Sequence, residues 1–65
     1  MSDYIQRVKT ERNELKERLS KLNEFIYSEK SKEIDFDDVA LLIEQSVHMK
    51  NYLEVLDRRL WLAHN

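Results

Sequence analysis

One aromatic residue near the start of the sequence, Tyr4, is followed by cations that could help it to bind an anionic ligand. An exposed aromatic ring can stack on a nucleobase while lysine or arginine neutralises the phosphate. The cations in this part of the chain are Arg7, Lys9, Arg12, Lys16, Arg18 and Lys21, with Glu11, Glu14 and Glu17 interleaved. Two interpretations stay open. Either this segment binds a nucleotide, or Tyr4 packs across a subunit contact and the cations are simply solvated.

Residues for catalysis or metal binding are sparse. The chain has no cysteine and no glycine-rich loop, and His48 and His64 are its only histidines. We therefore expect no enzyme activity, no metal and no cofactor. The acidic run Glu33, Asp35, Asp37 and Asp38 lacks the glycine and the ligand spacing of a calcium loop. It is better explained as the N-terminal capping of a helix, with Asp35 as the N-cap.

Charge and hydropathy narrow the possible partners. The formal net charge is −2, and 37% of the residues are charged. DNA-binding proteins and other general nucleic-acid binders usually carry a basic surplus, so we expect no DNA partner. No apolar run approaches the roughly 20 residues of a membrane span, and the sequence begins without the pattern of a signal peptide. The expected location is the cytosol.

The absence of glycine and proline predicts long helices, because these residues give the strongest turn and break signals. Two runs of apolar residues follow heptad spacing. The first includes Ile5, Val8, Leu15, Leu19, Leu22 and Ile26, and Arg12 interrupts it. The second includes Val39, Leu42, Ser46, Met49, Leu53, Leu56, Leu60 and Ala63. Favourable i,i+4 ion pairs are predicted for Glu14 with Arg18 and for Glu17 with Lys21.

We therefore predict an all-α fold, a two-helix antiparallel hairpin with helices at about 3–28 and 36–63, in one domain over 1–65. The polar stretch 28–33 is the expected connection. The second helix has a further apolar flank made by Phe36, Ala40, Ile43 and Val47, with Trp61 and Leu62 near its end. A patch of this size is rarely left in water, so the sequence predicts a homo-oligomer.

Several short motifs resemble a known family. They are Asp3-Tyr4 followed by Arg7-Val8, the segment from Leu19 to Ile26, and a set in the second helix made of Leu42, Gln45, Met49, Tyr52, Leu56 and Arg59. The chain resembles small phage helical-hairpin proteins of the type 2 anti-CBASS family, which are related to proteins of crAss-like phages. This resemblance extends over nearly the whole chain.

The resemblance implies a hexamer in the host cytoplasm that sequesters cyclic dinucleotides and trinucleotides of bacterial anti-phage signalling without cleaving them. It implies that Tyr4 stacks on a base, and Arg7 of the same motif is a further candidate for ligand binding. It implies that Lys21 meets phosphate, with Lys16 and Lys9 as competitors. Arg59, or its neighbour Arg58, would serve a separate site for cyclic trinucleotides.

Two alternatives belong to other functional classes. One is a small RNA-binding hairpin dimer similar in size and layout to the plasmid regulator Rop, with the basic residues of helix one on the RNA. The overall acidity counts against it. The other is a protein-binding adaptor that uses the flank around Phe36, Ile43 and Val47 to hold a partner helix.

Overall fold

The computed structural model describes residues 2–64, with side chains described from Asp3 to His64. Helix α1 spans Ser2–Ile26, a short 3₁₀ helix spans Glu29–Glu33, and helix α2 spans Phe36–His64. The two α-helices pack antiparallel as a hairpin about 47 Å long. This confirms the all-α hairpin that the heptad pattern predicts, and its second helix begins at the predicted residue.

The interface between the helices, called the seam below, contains the predicted apolar residues. Val8, Leu15 and Leu56 are buried at its centre, and Met49, Leu53 and Leu60 pack against them. The heptad pattern was wrong about Ala63, which is exposed. Tyr4 of α1 contacts Arg59, and α1 begins only two residues before Tyr4, so little of α1 is left to cover Ala63. The buried interior of the single chain is therefore very small.

Arg12, which interrupts the apolar pattern, joins the two helices by a charged contact. Its Nε donates to Oδ1 of Asp57 at 2.7 Å, and the two residues are 45 positions apart in sequence. Its Nη1 also donates to the neighbouring Asn13 at 3.2 Å. Arg12 is half-buried, so its aliphatic stem stays near the seam while the guanidinium reaches the surface. The interruption in the pattern is thus a polar contact that is specific to this helix register.

Helix α1 ends at Ile26, two residues before the predicted end. The hydroxyl of Ser28 donates to the carbonyl of Phe25 at 2.6 Å, and the buried hydroxyl of Ser31 lies 3.0 Å from the carbonyl of Ile26. These bonds satisfy carbonyl groups that the last turn of a helix leaves unpaired. No described residue has a positive φ angle. Serine hydroxyls therefore end this helix in place of the left-handed glycine that commonly does so.

Helix α2 begins after Asp35, as predicted. The carbonyl of Asp35 accepts the first helical hydrogen bond, from the backbone N–H of Val39 at 3.0 Å, as an N-cap residue does. Asp37 and Asp38 place negative charge in the first turn, where the helix dipole favours it. No helix within residues 2–64 is both long and apolar enough to cross a membrane.

Candidate functional site

Tyr4 and Arg59 form a pair at the open end of the hairpin, where α1 begins and α2 ends. An Nη atom of Arg59 donates to the Tyr4 hydroxyl at 2.7 Å. The guanidinium carbon also lies 5.6 Å from the centroid of the Tyr4 ring, within the range of a cation–π contact. Since the two residues are 55 positions apart, the contact exists only when the hairpin is closed in this register.

The electrostatics of this pair are dominated by the tyrosine. The hydrogen bond to Tyr4 raises the pKa of Arg59 above its ordinary value, and the charge interaction with the same residue adds to the increase. Glu11 raises it further, from the neighbouring part of α1. The guanidinium is thus already engaged by a group of its own chain.

The structure does not bring Lys21, the residue expected to meet phosphate, to Tyr4. Lys21 lies 17 residues further along α1, about 25 Å away at helical rise. Its Nζ pairs with Glu17 at 3.3 Å, as predicted, and Arg18 pairs with Glu14 at the same distance. Lys9 and Lys16, the alternatives to Lys21, are exposed.

Arg7 and Arg58 occupy different surfaces. Arg7 lines a shallow groove of α1 that also contains the carboxylates of Asp3, Glu11 and Glu14. Arg58 is exposed on α2, about 100° around the helix from Arg59. The resemblance placed Tyr4 and Arg59 in separate sites, whereas here they form one pair. A ligand-binding role for any of these residues stays a prediction.

The outer surface of α2 is apolar over much of its length, in contrast to that of α1. Among the described residues of α1, Tyr4 is the one large apolar side chain that is clearly exposed. In α2, Phe36 is 84% exposed and Trp61 64%. The full set on α2 is Phe36, Leu41, Ile43, Val47, Tyr52, Val55, Trp61 and Leu62. The apolar flank expected from the sequence is therefore uncovered in the single chain.

These side chains lie on two stripes with heptad spacing on the outer surface of α2, and the stripes include other residues as well. Face A consists of Phe36, Ala40, Ile43 and Val47, and Trp61 lies further along the same line. Face B consists of Leu41, Gln45, His48, Tyr52, Val55, Arg59 and Leu62. At 100° per residue, the seam, face A and face B are about 120° apart around the helix. Helix α2 thus has three faces suited to contact, and α1 occupies one of them.

The single chain exposes more surface than a folded monomer of its mass is expected to expose. Its accessible surface is 5434 Å², whereas a folded monomer of 7.9 kDa is expected to expose about 4,400 Å². The excess of about 1,000 Å² is similar to the roughly 800 Å² that each partner buries in a standard interface.

Sequence reasoning did not find the Tyr4–Arg59 and Arg12–Asp57 pairs, although the seam contains a signal for the first. Ile5 is the first seam residue of α1, and Leu60 is the last well-covered one of α2. Setting these two opposite each other brings their preceding neighbours, Tyr4 and Arg59, to the same end of the hairpin. Among residues 2–64, no group of three or more His, Asp or Glu side chains is placed to hold a metal ion.

Taken together, the fold and these surfaces define a small all-α helical-hairpin protein with an uncovered apolar second helix. The Sequestin family model matches residues 2–62, nearly the whole chain, and the chain belongs to the Sequestin family. No curated protein and no solved structure matches it.

The resemblance to the type 2 anti-CBASS family was therefore wrong. The matching family is Sequestin, and no anti-CBASS family matches. The assignment of cyclic-nucleotide sequestration depended on that resemblance, and no finding supports it. The physical reason lies in the motifs. Any short helical hairpin needs leucines at heptad spacing and charged residues between them, so these motifs do not distinguish one such family from another.

Proposed function

We propose that this chain is a non-enzymatic, self-assembling helical hairpin, in which α2 lies at the centre of a homo-oligomer and α1 forms the outer layer. The observation that carries the proposal is the contrast between the helices. Helix α2 exposes eight large apolar side chains among its described residues, whereas α1 exposes Tyr4. A helix that is apolar on several sides belongs in the interior of a larger structure.

Stability supports the same arrangement. Among the described side chains of the single chain, three apolar ones are buried, Val8, Leu15 and Leu56. Below about 70–80 residues, a single core rarely supplies more than about 3–5 kcal/mol without a disulfide, a metal or oligomerisation. The chain has no cysteine. Burial of faces A and B against other copies is a source of further stabilisation that the described surfaces offer.

The side chains with catalytic potential support a binding role more than a chemical one. His48 is exposed, and its contact is with Glu44 of the same helix, at 3.7 Å. Two depressions of the described surface are shallow grooves along single helices, and one of them is lined by Leu41, Gln45, His48 and Tyr52. A site for chemistry usually needs a concave pocket that excludes water.

The test is the mass of the protein in solution, measured by light scattering after size exclusion and by native mass spectrometry. The wild-type chain is expected at a multiple of 7.9 kDa. Ile43→Lys, on face A, is expected to lower that mass because it places a charge in an apolar contact. Thr10→Lys introduces the same side chain on the exposed surface of α1 and is the matched control, expected to leave the mass unchanged.

Circular dichroism separates assembly from folding in these variants. Ile43 is exposed in the hairpin, so Ile43→Lys should keep the helical signal even when the assembly is lost. A wild-type protein that remains a single chain at high micromolar concentration would overturn the proposal. Equal loss of mass in Thr10→Lys would show that charge alone, and not face A, controls association.

A further inference from the structure

We infer that face B is the contact between two copies of this chain, packed antiparallel about a two-fold axis that passes close to Tyr52. This inference rests on the proposed self-assembly and specifies one of its interfaces. The supporting pattern is the symmetry of the stripe. Face B has three residues before Tyr52 and three after it, at alternating spacings of four and three, and a leucine lies at each end.

An antiparallel pairing through this stripe places compatible side chains opposite each other. Leu41 of one copy lies opposite Leu62 of the second copy, and both are exposed in the single chain. Gln45 lies opposite Arg59, so an amide oxygen meets a guanidinium group. His48 lies opposite Val55. The two Tyr52 side chains meet at the axis, where tyrosine offers a large apolar ring with a polar tip, as interface centres favour.

The charges at the edge of face B determine the direction of packing. Glu44 and Arg58 both border this face on the side towards face A, and the midpoint between them is residue 51, next to Tyr52. In an antiparallel pair, equivalent edges meet, so Glu44 of each copy faces Arg58 of the other. The two-fold axis repeats this ion pair. A parallel pair would separate the two charges by about 21 Å along the helix.

Face A lacks this self-complementarity. Its apolar part is confined to the first half of α2, from Phe36 to Val47. The same line continues through Lys50, Glu54 and Asp57 before it reaches Trp61. Pairing face A with itself about its own centre would place these charges against apolar side chains. Face B is therefore the surface that suits a second copy in a two-fold arrangement.

The cysteine-free sequence allows a direct test, because any disulfide must form at an introduced residue. Tyr52→Cys is expected to give a covalent dimer under mild oxidation on a non-reducing gel, since a residue at the axis meets its own copy. Leu41→Cys alone and Leu62→Cys alone should remain uncrosslinked, whereas a mixture of the two should crosslink. The requirement is a Cα–Cα distance below about 7 Å. Thr10→Cys, on the outer surface of α1, is the matched control and should not react.

Each result has a definite meaning. Self-crosslinking of Leu41→Cys would show a parallel contact and overturn the inference. An oligomer in which Tyr52→Cys and the Leu41→Cys with Leu62→Cys mixture both fail to crosslink would show that face B is not a contact. In that case the proposed self-assembly would be supported, but the assignment of face B as its interface would be wrong. A wild-type monomer would overturn both. A mixture of His48→Cys with Val55→Cys provides a second cysteine test that leaves Tyr52 in place.

Charge reversal tests the ion pair independently. Glu44→Arg and Arg58→Glu are each expected to weaken dimerisation by roughly tenfold, because the two-fold axis doubles the lost pair. The double variant should recover most of the wild-type affinity. Glu44 also contacts His48 in its own helix at 3.7 Å, a contact that the double variant does not restore. Recovery in the double variant therefore reports the contact between copies, and a double variant weaker than both single variants would contradict the inference.

Discussion

Ser31 provides the sharpest test of how this chain ends a helix and reverses direction without glycine. Its buried hydroxyl lies 2.8 Å from the carbonyl of Ser28 and 3.0 Å from that of Ile26, so one proton is shared between two acceptors. Ser31→Ala removes both bonds and leaves the carbonyl groups without this donor. The methyl group of alanine fits the same space, so the substitution tests hydrogen bonding and not packing.

The expected cost is about 1–3 kcal/mol in the free energy of unfolding, the usual penalty for a polar group that loses its partner. It falls on the carbonyl of Ile26, because the carbonyl of Ser28 still accepts the backbone N–H of Ser31 at 3.3 Å. A single core of this size supplies only about 3–5 kcal/mol, so the loss is a large fraction of the stability of one chain. For a domain of 60–100 residues, each kcal/mol lowers the melting temperature by roughly 4–8 °C.

The measurement is urea unfolding followed by circular dichroism, with all variants at one protein concentration because assembly makes stability depend on concentration. Ser20→Ala, on the exposed surface of α1, is the matched control. It should be neutral or stabilising by up to about 0.5 kcal/mol, since alanine favours helix. A Ser31→Ala variant within about 0.5 kcal/mol of the wild type would refute the capping role, because ordinary surface substitutions have effects of that size.

Two further substitutions test the polar contacts between the helices. Arg12→Leu is expected to stabilise the hairpin by about 1 kcal/mol in urea unfolding. The reason is that burial of a leucine in the seam outweighs an ion pair with the partly exposed Asp57. A clear loss of stability would show instead that the pair holds the helices together. Tyr4→Phe keeps the ring beside Arg59 but removes the hydroxyl that accepts its hydrogen bond. It should speed amide hydrogen exchange several-fold in the second turn of α1, where the N–H groups are hydrogen-bonded, and leave exchange near Leu15 unchanged. An unchanged second turn would contradict the role of the pair in closing the hairpin.

The sequence was sufficient to predict the hairpin because heptad spacing reports directly which residues face the partner helix. Val8, Leu15 and Leu56 are buried where that spacing places them. The end of α1 was misplaced by two residues, because serine hydroxyls cap it and a serine in a polar stretch does not stand out in a sequence. The periodic spacing of apolar residues predicted the packing reliably, whereas a helix end set by side-chain hydrogen bonds was harder to predict from the sequence.

The contacts at the open end of the hairpin depend on the register between the two helices, which single residues do not reveal. Arg59 reaches Tyr4 only because the register of two helices brings residues 55 positions apart to one place. The resemblance implied two separate ligand contacts at these positions, whereas the fold joins them. The family assignment failed for a related reason, because its motifs were properties of helical hairpins in general.

The absence of positive φ angles among the described residues affects which amino-acid substitutions this chain can accept. Because no described residue needs the left-handed conformation, the backbone requires glycine at none of these positions. Substitutions are therefore limited mainly by side-chain demands, which are strict at the seam and at Ser31 and weak on the outer surface of α1. Apart from proline, which would interrupt a helix, the outer positions accept most residue types without backbone strain. New contact surfaces can thus accumulate on a hairpin whose fold stays the same.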